Sequence, residues 1–178
     1  MKKYSVPKNF HSSVGHNSLD RYQSLRENAK QDSNSYWESV ANRIDWFDKW
    51  TTVNNTDYSK AHIEWFSNGK LNASYNCIDR HIENGLGEKT ALIWQSNDPT
   101  ISKNVTYNEL LEKVSLFANG LKRAGIQKGD RVCIYMQMIP EAIVAMLACA
   151  RIGAVHSVVF GAFSSDALKN RINDSECK

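Results

Sequence analysis

The 178-residue chain lacks the short signatures that most readily betray a ligand. It contains neither GxGxxG nor GxxxxGK[ST], so neither a dinucleotide fingerprint nor a P-loop is supported. Its four cysteines, Cys77, Cys133, Cys149 and Cys177, form no CxxC pair, which removes the usual zinc and dithiol patterns. Cys133 and Cys149 could act as nucleophiles only with a basic neighbour that lowers the thiol pKa, and their apolar surroundings point the other way, so they read as small core hydrophobes. Cysteine usage of this kind fits a reduced, cytoplasmic compartment. No dense run of one charge sign occurs: 22 basic against 19 acidic residues leave a net charge of only +3, a poor footprint for nucleic acid. Long apolar runs are missing as well. The longest, residues 142–150, falls far short of the roughly 20 needed to cross a bilayer. Two lysines open "MKKYSVPKNF", but polar residues follow where a secretory signal would be apolar. His156 stands alone in an apolar strand with no second ligand at metal spacing, so it reads as a hydrogen-bonded core histidine and no metal site is expected.

What is present is an ordinary globular composition, 42% hydrophobic and 23% charged, long enough to bury a real core. Residues 1–34 form a polar arm with one short helix marked by Leu19, Tyr22 and Leu25. Residues 35–88 form a helical and wrapping extension. It opens with Ser35 and Glu38 at capping-box spacing, and Trp37, Val40, Ala41, Ile44 and Phe47 then recur on one helical face. That aromatic stripe predicts docking on a broad surface. Residues 51–69 read as an irregular wrapping connection, and Tyr75, Ile78 and Ile82 as one helix ended by Gly85 and Gly87.

Residues 89–178 carry the clearest pattern. "TALIW" is β-prone, and "VTY" is placed to pair back on it. Thr106 and Glu109 have capping-box spacing ahead of an apolar stripe at Leu110, Leu111, Val114, Phe117, Ala118 and Leu121 that stops at Gly125. "RVCIYM" is a run without alternation, as in a strand covered on both faces. Pro140 then opens a helix apolar almost all round, Gly153 closes it, and "VHSVVF" supplies the next strand. Strand, helix and strand in succession predict an α/β fold: an amino-terminal helical extension plus the first βα units of a layered, mainly parallel-sheet large domain.

The turn "FGAFSSD" is the candidate site. It leaves a strand for a helix, the usual ligand edge of an α/β sheet. Gly161 suits positive φ or close approach to a ligand, and Ser164 or Ser165 can cap the helix, whose free amides could receive an anion. The same residues equally suit a plain strand-to-helix turn. Asp79, Arg80 and His81 are adjacent on a helix and face different ways, so a packed ion pair or a solvated face is favoured over a catalytic cluster.

Beyond these local readings, the stretches "YWESVANRIDWFDKW", "HIEWFSNGKLNASYNCIDRHIENGLGEKTALIW" and "NVTYNELLEKVSLFANGLKRAGIQKGDRVCIYMQMIPEAIVAMLACARIGAVHSVVFGAFSSDALKNRI" together resemble the amino-terminal part of the acetyl-CoA synthetases. These are adenylate-forming enzymes, in which "TYNEL" and "LACARIGAV" resemble shared motifs. The resemblance implies ATP-dependent ligation of acetate to CoA through acetyl-adenylate, with release of AMP and pyrophosphate. ATP, Mg²⁺, CoA and acetate are then the small molecules of the parent enzyme, with no nucleic acid, membrane or specific protein partner implied. Phe160, Gly161 and Ala162 resemble the loop bordering the CoA entrance. Many members have glycine at the position of Ala162, so the extra methyl here narrows that approach. The family's phosphate loop, acyl pocket and adenylation lysine map beyond these residues. The resemblance therefore implies a catalytically silent amino-terminal fragment that binds none of the substrates tightly and offers no catalytic residue. A propionyl-CoA or other short-chain acyl-CoA synthetase shares these features, and a non-catalytic α/β binding module is the alternative from another class.

Overall fold

A computed structural model describes residues 18–178, so the opening "MKKYSVPKNF" and the first 17 residues of the polar arm lie outside the described residues. The described residues divide into two compact units, one comprising residues 18–44 with 48–69, the other residues 45–47 with 70–178.

In the first unit, helix α1 (Leu19–Gln31) is capped by the Ser18 hydroxyl and buries no residue, as its sparse apolar spacing dictates. Helix α2 (Ser33–Ala41) corrects the expected Ser35–Glu38 box. The Asp32 carboxylate accepts both the amide of Ser35 at 2.9 Å and its hydroxyl at 2.7 Å. A charged cap favoured by the helix dipole thus starts the helix before Ser35. The predicted stripe is also cut short: α2 stops at Ala41, and Asn42 turns its amide back onto the Glu38 carbonyl at 3.0 Å. Ile44 and Phe47 therefore lie outside the helix. Residues 51–69 are not irregular but contain an antiparallel pair, β1 (Thr52–Asn54) and β2 (Trp65–Ser67), with Thr52 opposite Ser67 and Asn54 opposite Trp65. Aromatic edges replace a large aliphatic core here, with Trp37 6.1 Å from Trp65 and Trp50 5.1 Å from Phe66 between ring centres.

The second unit holds the α/β body. The expected helix through Tyr75, Ile78 and Ile82 is broken into α3 (Ala73–Cys77), α4 (Asp79–His81) and a π turn over 82–86, because Ile78 leaves helical geometry at φ −127° and ψ −69°. That excursion drives its side chain to complete burial. Strands β3 (Thr90–Gln95) and β4 (Ser102–Thr106) pair antiparallel, as "TALIW" and "VTY" predict. Helix α5 (Tyr107–Arg123) begins with the predicted capping box: the Thr106 hydroxyl accepts the Glu109 amide at 3.2 Å, and the Glu109 carboxylate accepts the Thr106 amide at 2.9 Å. Strand β5 (Arg131–Met136), helix α6 (Pro140–Ile152) and strand β6 (Val155–Phe160) follow, then helix α7 (Ser165–Asp174). Pro140 occupies the first turn of α6, and Gly153 ends it at φ 75°. β5 and β6 are parallel, in register from Arg131 opposite Val155 to Met136 opposite Phe160. The fold is α/β, with one parallel and two antiparallel strand pairs among the described residues.

Two buried clusters hold this unit together. Ile78, Val105, Leu110, Val114, Ala118, Val144 and Ala148 form one, and Ile134, Ala145, Cys149 and Ala154 the other. β5 is not covered on both faces as its sequence suggests: Ile134 is buried against α6, but Tyr135 remains 43% exposed. His156 is likewise exposed and is not a core histidine. It shares the period-2 face of β6 with Val158 and Phe160, both more than half exposed. Among the described residues no helix is long and apolar enough to cross a membrane.

Candidate functional site

The turn between β6 and α7 is built from three directions. From within, the Phe163 amide donates to the Phe160 carbonyl at 3.1 Å, closing a four-residue turn around Gly161 and Ala162. From α7, Ser164 is the N-cap: its hydroxyl accepts the Ala167 amide at 3.3 Å. The Arg171 guanidinium, about two turns further along α7, lies 4.8 Å from the centre of the Phe163 ring. From β5, the Tyr135 hydroxyl stands 3.1 Å from the Gly161 carbonyl and 2.9 Å from the Phe163 carbonyl.

Gly161 does not take the positive φ that its sequence context suggests; among the described residues the glycines that do are Gly85, Gly125, Gly129 and Gly153. A β-carbon at Gly161 would meet the Met136 carbonyl oxygen at 3.4 Å, an ordinary contact. Neither backbone geometry nor packing therefore demands glycine here. At the start of α7, Ser164 already serves one amide and Asp166 adds a negative charge to the first turn, so this helix end carries no case for an anion by itself.

Phe160, Gly161 and Ala162 share a cavity of about 550 Å³ with residues 94–97, at the end of β3, and residues 137–139, between β5 and α6. No charged side chain lines it. Trp94 fixes its far wall, the indole Nε1 donating to the Met138 carbonyl at 2.8 Å. An apolar hollow of about 500 Å³ adjoins it, lined by Ile93, Met136, Met146 and Val158 among others and sharing Trp94, Met138 and Phe160 with it. A larger cavity of about 680 Å³ lies elsewhere, lined by Lys122, Lys128 and Arg151. It adjoins the carboxy-terminal ends of α5 and α6 rather than the strand-to-helix turn, and basic side chains there complement the helix dipoles.

The other sequence candidates take structural parts. Asp79 forms a two-point pair with Arg151, Nη2 to Oδ2 at 2.6 Å and Nη1 to Oδ1 at 3.2 Å. The His81 ring lies 5.0 Å from that of Tyr107. Burial pushes the thiols of Cys149 and Cys133 up from the usual cysteine value, so neither offers a thiolate nucleophile at neutral pH. Trp94 and Tyr135 are the site residues that pattern reading passed over. Each is a polar-tipped aromatic near the carboxyl end of a strand, a position where such a tip reaches a loop backbone.

Comparison with known proteins places two family models side by side along the chain. "Acetyl-coenzyme A synthetase N-terminus" matches residues 22–77, and "AMP-binding enzyme" matches residues 79–178. The acetyl-coenzyme A synthetase of Magnetococcus marinus is 54% identical over 160 residues, which cover 89% of this chain and 25% of that protein. That of Alkalilimnicola ehrlichii is 47% identical over 99% of the chain and 27% of its own length, and that of Sinorhizobium fredii 55% identical over 84% and 23%. The chain thus spans about a quarter of the length of the curated relatives it matches.

Proposed function

The chain belongs to the AMP-binding enzyme family, and from that premise we propose that it is the amino-terminal quarter of an acetyl-CoA synthetase. The observation that carries this reading is the pair of adjacent family models, the first named for the synthetase amino terminus and the second for the AMP-binding body. The reaction has two steps. An acetate oxygen attacks the α-phosphorus of ATP, forming acetyl-adenylate and expelling pyrophosphate. The CoA thiolate then attacks the acyl carbon and AMP leaves, its phosphate keeping the bond electrons.

The share of these residues is binding and shaping, on the CoA side. The cavity beside Phe160, Gly161 and Ala162 combines apolar surface with the amides of Gln95, Asn97 and Gln137 and holds no charged group. Such a lining suits the amide-and-alkyl arm of CoA, whose amides need partners but whose chain needs none. Its phosphates, and the triphosphate of ATP, require cations or a dedicated loop from other parts of the protein. Among the described residues no group of three His, Cys, Asp or Glu could hold a metal, and no step is assigned to the Mg²⁺ that accompanies ATP. Acetate as acyl substrate and a cytoplasmic setting are part of the same proposal.

The test is isotope exchange between ATP and pyrophosphate. The intact protein carrying these residues should show acetate-dependent exchange and should prefer acetate to propionate, whereas residues 1–178 alone should show none. Exchange by residues 1–178 alone would sink the division of labour, and a preference for propionate would move the assignment to the longer acyl chain. Gly161→Ala separates ligand contact from packing. With ordinary space for a methyl at 3.4 Å, it should change stability by less than about 0.5 kcal/mol in thermal unfolding of the intact protein, while raising the KM for CoA.

A further inference from the structure

The Phe160–Phe163 turn is exposed, contains a glycine with room to move, and yet has a defined shape, so something other than its own sequence must hold it. Phe160 and Phe163 are 54% and 42% exposed, and no residue of the turn is buried. The internal bond from Phe163 to Phe160 fixes only the ends. The carbonyls of Gly161 and Phe163 flank Ala162, and both converge on one hydroxyl, that of Tyr135, at 3.1 and 2.9 Å. A phenol has one proton to donate, so it bridges or alternates between the two carbonyls and brackets the Ala162 peptide from both sides. The phenol comes from β5, which is locked to β6 through six consecutive register pairs from Arg131 to Met136. The turn is thereby tied to the sheet rather than to a neighbouring loop.

We propose that Tyr135 is the positioning residue of the CoA-side turn, its hydroxyl holding Gly161–Phe163 in the shape that receives the ligand. This rests on the reading of Phe160, Gly161 and Ala162 as the border of the CoA entrance. Tyr135 is not a catalytic residue: it acts through the turn backbone. A turn ordered beforehand spares the ligand the cost of ordering it, so the tether appears as affinity for CoA and not as turnover of adenylate. Because both carbonyls can turn to water once the phenol is gone, the fold survives its loss.

Tyr135→Phe in the intact protein tests this, since it keeps the ring and removes only the donor. The expected result is a KM for CoA raised about 2- to 10-fold, the range of one hydrogen bond. Acetate-dependent ATP–pyrophosphate exchange, measured without CoA, should be unchanged, as should the KM values for acetate and ATP. Amide hydrogen exchange should quicken at residues 161–164 and stay constant in α6. An unchanged KM for CoA with exchange intact overturns the inference and leaves the assigned reaction standing. A parallel fall in ATP–pyrophosphate exchange assigns Tyr135 a general structural role and also overturns it. If the unaltered protein shows no acetate-dependent exchange, the assigned reaction fails and this inference fails with it.

Discussion

Ile78→Ala is expected to destabilise the second unit by about 4 kcal/mol, near the upper end for a buried aliphatic residue cut back to its β-carbon. Ile78 is fully buried, and its cluster draws on three separate segments: Val105 at the end of β4, Leu110, Val114 and Ala118 on α5, and Val144 and Ala148 on α6. A void there cannot be filled by one side chain relaxing, because its walls belong to elements held apart by their own hydrogen bonds. Ile78→Val, which removes one methylene and keeps the β-branch, should cost only about 1 kcal/mol. Hydrogen exchange of the α5 and α6 amides in the intact protein measures both. Equal effects for Ala and Val would mean that the site collapses freely and that Ile78 is not the centre of the cluster.

The same residue shows where sequence reading stops. Its spacing with Tyr75 and Ile82 is helical, and nothing local announces the break; the reason lies in Val105, Leu110 and Val114, up to 36 residues away. By contrast, the elements read correctly have their causes within one or two helical turns. The Thr106–Glu109 box and the Pro140 start and Gly153 end of α6 are short-range devices, and each is found where its residues stand. Ser35 marks the middle case. Its cap was displaced by Asp32, a competing acceptor three residues away, so two local signals conflicted and the charged one prevailed. For the site, the turn after β6 was legible as a place, because strand-to-helix transitions follow from periodicity. Its tether was not: Tyr135 reaches across 26 and 28 residues to two backbone carbonyls, and a backbone acceptor has no residue type to read.

The second large effect is expected at Asp79. Asp79→Ala should destabilise the second unit by about 3 kcal/mol, the lower end for breaking a sheltered ion pair. The Asp79 and Arg151 side chains are only 20% and 24% exposed and meet through two hydrogen bonds. Arg151 Nε is already buried without a partner, so removing the carboxylate strands a guanidinium that has little else to bind. Asn72 lies on the same junction, donating its side-chain amide to the Ala150 and Arg151 carbonyls at 3.0 and 3.2 Å. The end of α6 is therefore clasped by α3 and α4 through both charge and backbone. An exposed pair supplies the control. Lys30 and Glu27 stand 3.6 Å apart with side chains 60% and 59% exposed, and Lys30→Ala should change stability by less than about 0.5 kcal/mol. The double replacement Asp79→Leu with Arg151→Met should recover most of the single-mutant loss, because no charge then remains to be desolvated. Hydrogen exchange in the intact protein reads these variants, at the α6 amides for Asp79 and Arg151 and at the α1 amides for Lys30. If Asp79→Ala proves as mild as Lys30→Ala, solvent reaches the pair freely and the clasp rests on Asn72. If the double variant is worse than Asp79→Ala alone, the junction depends on the shape of the Arg151 side chain rather than on the balance of charge.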